Sequence, residues 1–136
     1  EFYTPNIDIS LKHKIGVVPH KSNQHKYQDI SQKNSNYCLI SPTRRWSEVI
    51  DMISSCKFVL SSSLHGLICA DAYNIPNIWL DEFRLAEGDF KFKDYFSSQN
   101  REYTKITSID QFNENDAYAS GNRIDLSRLK AAFPLT

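Results

Sequence analysis

Four short apolar runs, each closed by a polar loop and separated by segments of helical character, constrain this chain more than any other feature. Lys14-Ile15-Gly16-Val17-Val18 ends at Pro19, and Tyr37-Cys38-Leu39-Ile40 ends at Ser41-Pro42. Lys57-Phe58-Val59-Leu60 runs into Ser61-Ser62-Ser63, and Asn77-Ile78-Trp79-Leu80 runs into Asp81. Runs this short, apolar at consecutive positions, read as strands buried on both faces. Between them, residues 21–35 have weak helical character. Trp46, Val49, Ile50 and Ile53 repeat with the i, i+3, i+4, i+7 spacing of one helical face. Leu64 to Tyr73 is apolar on nearly every side except at Asp71, which predicts a buried helix ended by Asn74 and Pro76. The pattern then weakens. Residues 89–98 suggest an amphipathic helix, 103–106 a strand, 108–112 a short capped helix, and 125–133 a terminal helix stopped by Pro134. Strands alternating with helices predict an α/β fold, a doubly wound parallel sheet, because parallel connections must cross over a sheet face.

The length of 136 residues suits one domain. Sixteen Lys and Arg balance sixteen Asp and Glu, so the basic excess that favours duplex nucleic acid is missing and no nucleic-acid partner is expected. Apolar stretches are too short to span a bilayer. Cys38, Cys56 and Cys69 lie in apolar runs without CxxC spacing, which predicts buried free thiols in a reducing compartment. The chain opens Glu1-Phe2-Tyr3-Thr4-Pro5 with neither a Met nor a secretory signal, which suggests a fragment, a processed chain or an excised piece; with the free thiols, a cytoplasmic location is expected.

In doubly wound sheets ligands sit at the carboxyl ends of the strands. The loops of interest are therefore Pro19-His20-Lys21-Ser22, Ser41-Pro42-Thr43-Arg44-Arg45, Ser61-Ser62-Ser63-Leu64-His65-Gly66 and Asp81-Glu82-Phe83-Arg84. The third carries most information. It leads from a buried strand into the first turn of a buried helix, where backbone N–H groups lack intrahelical partners and the helix dipole favours an anion. His65, in that turn, would lie near a bound anion and can titrate close to neutrality there. A plainer reading assigns the serines to helix capping and His65 to the core. A serine nucleophile lacks its G-x-S-x-G elbow. His65 and Cys69 share a helical face, but zinc needs three or four ligands. With four glycines in the chain, neither nucleotide phosphate loop is present.

Ser61-Ser62-Ser63-Leu64-His65-Gly66-Leu67-Ile68, followed by Ala70-Asp71-Ala72-Tyr73-Asn74-Ile75-Pro76 and Trp79, resembles the C-terminal half of polysaccharide pyruvyl transferases. Ile15-Gly16-Val17-Val18-Pro19-His20 resembles that family's strand ending in Pro-His. Phe90-Lys91-Phe92-Lys93-Asp94-Tyr95-Phe96 resembles a later segment of the xanthan- and succinoglycan-type ketal pyruvyl transferases. The resemblance implies that residues 1–136 form a C-terminal Rossmann-like domain, one half of a GT-B-like enzyme whose N-terminal half is absent from this chain. It implies phosphoenolpyruvate as donor and a glycan or lipid-linked saccharide as acceptor. The product would be a pyruvate ketal on an exopolysaccharide, capsule or cell-wall glycan, formed without cofactor or metal.

On this reading His65 is the general acid and His20 orients the acceptor or shares in proton transfer. Ser61, Ser62, Ser63, Leu64 and Gly66 surround the donor, with Arg84 and Lys91 adding positive charge and Arg44 and Arg45 as further cations. Many family members have Arg-Leu-His where this chain has Ser63-Leu64-His65, which leaves the source of positive charge open. Any membrane association would be peripheral, at the inner face, and an isolated half could pair as a homodimer. The competing expectations are a GT-B glycosyltransferase using a nucleotide sugar, or an α/β binding module without catalysis.

Overall fold

The computed structural model describes residues 3–82 and 86–119. Among these residues the strands β1 (Ile15–Val18), β2 (Tyr37–Leu39), β3 (Phe58–Ser61), β4 (Asn77–Leu80) and β5 (Lys105–Ile106) form one sheet. Their order is β2-β1-β3-β4-β5 and every adjacent pair is parallel. The helices are α1 (Ile30–Lys33), α2 (Trp46–Ser55), α3 (Leu64–Ala72) and α4 (Ala86–Ser98). The chain runs outward from β1 to β2, then returns past β1 to build β3, β4 and β5. This reversal places the topological switch point of the sheet between the carboxyl ends of β1 and β3, where open α/β sheets bind ligands. No helix among the described residues is long and apolar enough to cross a membrane.

Strand alternation divides the core in two, as the period of two along a strand requires. Val18, Val59 and Trp79 face a larger core with Ile50 and Ile53 of α2, Leu67 and Ile68 of α3, and Phe92 and Phe96 of α4. Val17, Leu60 and Ile78 face a smaller core with Tyr27, Ile30 and Ile106. Gly16 lies beside Cys38 of β2 and Val59 of β3. A Cβ there would stand 2.6 Å from Ile40 Cδ1 and 3.0 Å from Cys56 Sγ, so a larger residue would force these side chains to shift.

The weakly helical segment after β1 resolves into a 3-10 stretch, Lys21–Tyr27, followed by α1. The weaker C-terminal signals shorten: the strand at 103–106 narrows to Lys105–Ile106, and the capped helix becomes a 3-10 turn, Ile109–Gln111, with Ser108 as its cap. The expected terminal helix at 125–133 lies outside the described residues.

Two helix ends fix the larger core. After α3, Asn74 takes a left-handed conformation (φ 59°). Its N–H reaches the Asp71 carbonyl, and the Ile75 N–H reaches the Ala70 carbonyl at 2.8 Å. These are the paired bonds of a Schellman ending, with Pro76 preventing further helix. Asn100 (φ 51°) ends α4 in the same way, with the Arg101 N–H on the Phe96 carbonyl at 2.9 Å. Arg101 thereby turns back beneath the helices. Its Nη1 meets Asp71 Oδ2 at 2.9 Å, the two side chains being 1% and 4% exposed. The Tyr95 hydroxyl donates to Asp71 at 2.6 Å and Asn77 Nδ2 at 2.8 Å, while Arg101 Nη2 donates to Asn77 Oδ1 at 3.0 Å. The guanidinium also lies over the rings of Phe96 and Tyr118, at 4.6 and 4.2 Å. Asp71, the one charge in an otherwise apolar helix, is thus fully engaged.

Removing one partner of a buried ion pair strands the other charge, at a cost of about 3–5 kcal/mol. Arg101→Met is expected to lower the unfolding free energy by about that amount in urea titrations, and Asp71→Asn in the same chain is expected to restore part of it. Equal stability of Arg101→Met and the parent chain would contradict this account of the core.

Candidate functional site

A cleft of about 790 Å³ opens at the carboxyl edge of the sheet, lined from the loops after β1, β2, β3 and β4 and from α4. It lies at the switch point that the strand order defines. A smaller crevice of about 160 Å³ adjoins it, with His65 and Ser63 lining both.

The turn from β3 to α3 is built by its serines. Ser61 is fully buried. Its Oγ accepts the Ser63 N–H at 3.0 Å and donates to the Ser63 carbonyl at 2.7 Å, so Ser61 buttresses the turn instead of facing the cleft. The Ser62 N–H joins the ladder through the Val18 carbonyl, and its hydroxyl donates to the Leu80 carbonyl at 2.6 Å, pinning the turn to β4. Ser63 is the N-cap of α3, its Oγ accepting the Gly66 N–H at 3.3 Å. Gly66 is buried, and a Cβ there would fall inside contact with Ser61 Oγ. Glycine therefore lets the helix start approach the strand, and Gly66 reaches only the smaller crevice.

Ser62, Ser63, Leu64 and His65 line the main cleft. His65 is exposed there, which excludes the core-histidine reading. Desolvation at the cleft wall, then the positive charge of Lys91, hold its imidazole below the ordinary histidine range. The ring is therefore mostly neutral at pH 7 without a ligand. Lys91, on α4, lines the same cleft. His20 lines the cleft too, is exposed, and is the N-cap of the 3-10 stretch. Its Nδ1 accepts the Ser22 N–H at 3.1 Å and lies 2.8 Å from Ser22 Oγ, which fixes the ring. Arg84 and Phe83 lie outside the described residues. Arg44, after β2, lines the smaller crevice beside Ser63, His65 and Gly66. Trp79 forms part of the cleft wall while almost wholly buried, stacked on Phe92 with ring centroids 4.5 Å apart.

Sequence reasoning passed over the acidic side of the cleft. Asp81 directly follows β4, is buried, and accepts from Lys105 Nζ at 2.9 Å. Glu82 accepts from the Tyr27 hydroxyl and from Asn23 Nδ2, the latter at 3.3 Å. Both carboxylates line the cleft. The strand-end rule pointed to their loop, but their orientation depends on Tyr27 and Lys105, distant in sequence. The cleft thus carries both signs of charge, Lys21 and Lys91 beside the carboxylates of Asp81 and Glu82, together with His20 and His65.

A sequence model of the polysaccharide pyruvyl transferase family matches residues 1–82, which include the β1 strand with His20 and the whole β3–α3 turn. The segment around Lys91 falls beyond that match. An uncharacterized protein of Acanthamoeba polyphaga mimivirus is 26% identical over 105 residues, covering 71% of this chain and 37% of that protein. The chain thus spans little more than a third of that relative's length. No solved structure matches.

Lys91 is one of the two causes that lower the His65 pKa. Lys91→Gln is therefore expected to raise it, measured from the pH dependence of the imidazole Cε1–H resonance. An unchanged titration would remove Lys91 from the electrostatics of the site.

Proposed function

This chain belongs to the polysaccharide pyruvyl transferase family, and from that premise we propose that its cleft binds phosphoenolpyruvate and presents it to a sugar diol for transfer as a ketal. The observation that carries the reading is the position of His65: exposed in a large cleft, in the first turn of α3, at the switch point of the sheet. The first-turn N–H groups and the helix dipole favour an anion. A helix start contributes about 0.3–1 kcal/mol, up to about 2 when partly buried, which is too little for sub-millimolar binding at more than about 4 kcal/mol. Lys91 in the cleft and Arg44 in the adjoining crevice are the cations that add to it, in keeping with serine at position 63.

In the proposed reaction His65, in its protonated form, delivers a proton to C3 of the donor's enol ether. This leaves oxocarbenium character at C2. One acceptor hydroxyl attacks C2, phosphate departs with the C2–O bond electrons, and the second hydroxyl closes the ketal. The hydroxyl protons pass to bases in the cleft and to the released phosphate. The lowered pKa of free His65 fits this sequence. The dianionic phosphate group brings negative charge beside the ring and raises its pKa, so the proton arrives with the substrate. Asp81 and Glu82 suit the neutral acceptor, since carboxylates accept hydrogen bonds from sugar hydroxyls, and His20 stands on the rim to orient it. Glu82, whose hydrogen-bond partners Tyr27 and Asn23 are neutral, would repel the donor, so the anion is favoured beside His65 and Lys91 and the diol beside Glu82.

Titration of the isotope-labelled chain with phosphoenolpyruvate is expected to move the amide resonances of Leu64, His65 and Gly66 and to raise the His65 pKa. Uridine diphosphate glucose serves as the comparison. Stronger and co-localised shifts with the nucleotide sugar would overturn the reading in favour of a glycosyltransferase. Resonances that stay fixed with either ligand would leave only a binding module of other specificity.

In the full-length enzyme, His65→Ala is expected to lower turnover by about 10²–10⁴-fold while the far-ultraviolet circular dichroism is retained. Ketal formation is followed by the methyl resonance of the product. Undiminished turnover would exclude His65 as the acid.

A further inference from the structure

Cys38 and Cys56 lie outside the cleft, and nothing in the proposed reaction uses them. They belong to different parts of the chain, one on the edge strand β2 and the other at the junction of α2 and β3. Yet their sulfurs are 3.7 Å apart. What brings them together is the glycine between them. Gly16 of β1 pairs directly with Cys38, and the missing side chain there is the space into which Cys56 Sγ projects, 3.0 Å from where a Cβ would stand. Any larger residue at 16 would occupy the meeting place of the two thiols. Cys69, the third cysteine, is buried in α3 and has no such arrangement with them.

From this juxtaposition across Gly16 we propose that Cys38 and Cys56 form a reversible disulfide on exposure to peroxide, stapling the edge strand β2 to the α2–β3 junction. A disulfide needs sulfurs about 2.0 Å apart, so the two must close by roughly 1.7 Å, a movement that side-chain rotation and a small shift of a three-residue edge strand supply. The chemistry balances with hydrogen peroxide as the oxidant. The Cys38 thiolate attacks one peroxide oxygen, breaking the O–O bond and releasing water once the leaving hydroxide is protonated. This leaves a sulfenic acid. Cys56, giving up its proton, attacks the Cys38 sulfur and expels the hydroxyl as a second water. Two thiols and one peroxide become one disulfide and two waters. The assignment of roles follows the electrostatics. Either sulfur can donate in the contact between the two thiols. That shared bond and the nearby Lys14 favour a thiolate at Cys38, against burial and Asp8, while the shared bond and burial disfavour one at Cys56. The step is accordingly written with Cys38 attacking and Cys56 resolving.

The experiment uses the reduced 136-residue chain, treated with hydrogen peroxide and then alkylated. The expected product is lighter by two hydrogens, carries a Cys38–Cys56 cross-linked peptide on proteolysis, and keeps Cys69 alkylatable only after unfolding. It should also unfold at higher temperature than the reduced chain and revert fully with dithiothreitol. The Cys56→Ser variant should instead stop at the Cys38 sulfenic acid, trapped by dimedone, with no change in melting temperature. Gly16→Ala, if folded, should form the cross-link more slowly. Independent sulfinic acids on the two cysteines, a cross-link through Cys69, or thiols that remain fully alkylatable would each overturn the proposal. None of these readouts depends on the pyruvyl transfer reading.

Discussion

The geometry of the cleft rests on a buried ion pair some distance beneath it. Asp71 sits toward the C-terminal end of α3, the helix whose first turn carries His65. Arg101 follows α4, the helix that carries Lys91 and Phe92. Their contact, extended through Tyr95 and Asn77, locks the two helices to one another and to β4, which Asp81 follows. Buried charges cost desolvation energy and return it only in good geometry. In this pair a neutral hydroxyl and an amide fill further positions on Asp71 and two aromatic rings cover the guanidinium, although Arg101 Nε is buried without a hydrogen-bond partner among the described residues. Its specificity follows from the same cost. Only one register of α4 against α3 satisfies Asp71, so the histidine and the lysine reach the cleft at a defined spacing.

Local structure then converts that frame into a site. The three serines after β3 look alike in sequence but separate into three tasks: buttress, strap to β4, and helix cap. The Ser61 and Ser62 hydroxyls donate to carbonyls and the Ser63 hydroxyl accepts the Gly66 N–H, so each is engaged in holding the turn. What the turn offers a ligand is its backbone, the small size of its side chains and His65. That suits recognition of an anion by N–H groups more than covalent catalysis.

Much of the architecture was legible because it comes from local patterns. The apolar runs at 14–18, 37–40, 57–60 and 77–80 became β1 to β4, and the periodicity at Trp46, Val49, Ile50 and Ile53 became α2. Strand ends pointed to the loops that line the cleft. The sequence was silent where a feature depends on distant residues. Arg101 completes Asp71 from 30 positions away, and Tyr27 holds Glu82 from 55. The Cys38–Cys56 approach is visible only when β1 is laid between β2 and β3, since the spacing of 18 residues carries no signal of its own. The role of Ser61 was misread for a related reason. Alternation along β3 directs it inward, but three identical neighbours hide the face that each presents.

The two histidines also show how one cleft can assign different tasks to the same residue type. His20 has its ring fixed by Ser22 and stands beside Lys21 on the rim, where water still reaches it. His65 has a charged neighbour and a partly desolvated wall, so its neutral form is favoured until negative charge arrives. In the proposed reaction, a group that is neutral when free and becomes cationic beside a bound dianion would add attraction only to an anionic ligand. The carboxylates respond differently: Asp81 is already paired with Lys105, whereas Glu82 is held by the neutral donors Tyr27 and Asn23 and keeps its negative charge at the cleft. On the proposed reading, Glu82 would therefore disfavour the anion on its side of the cavity.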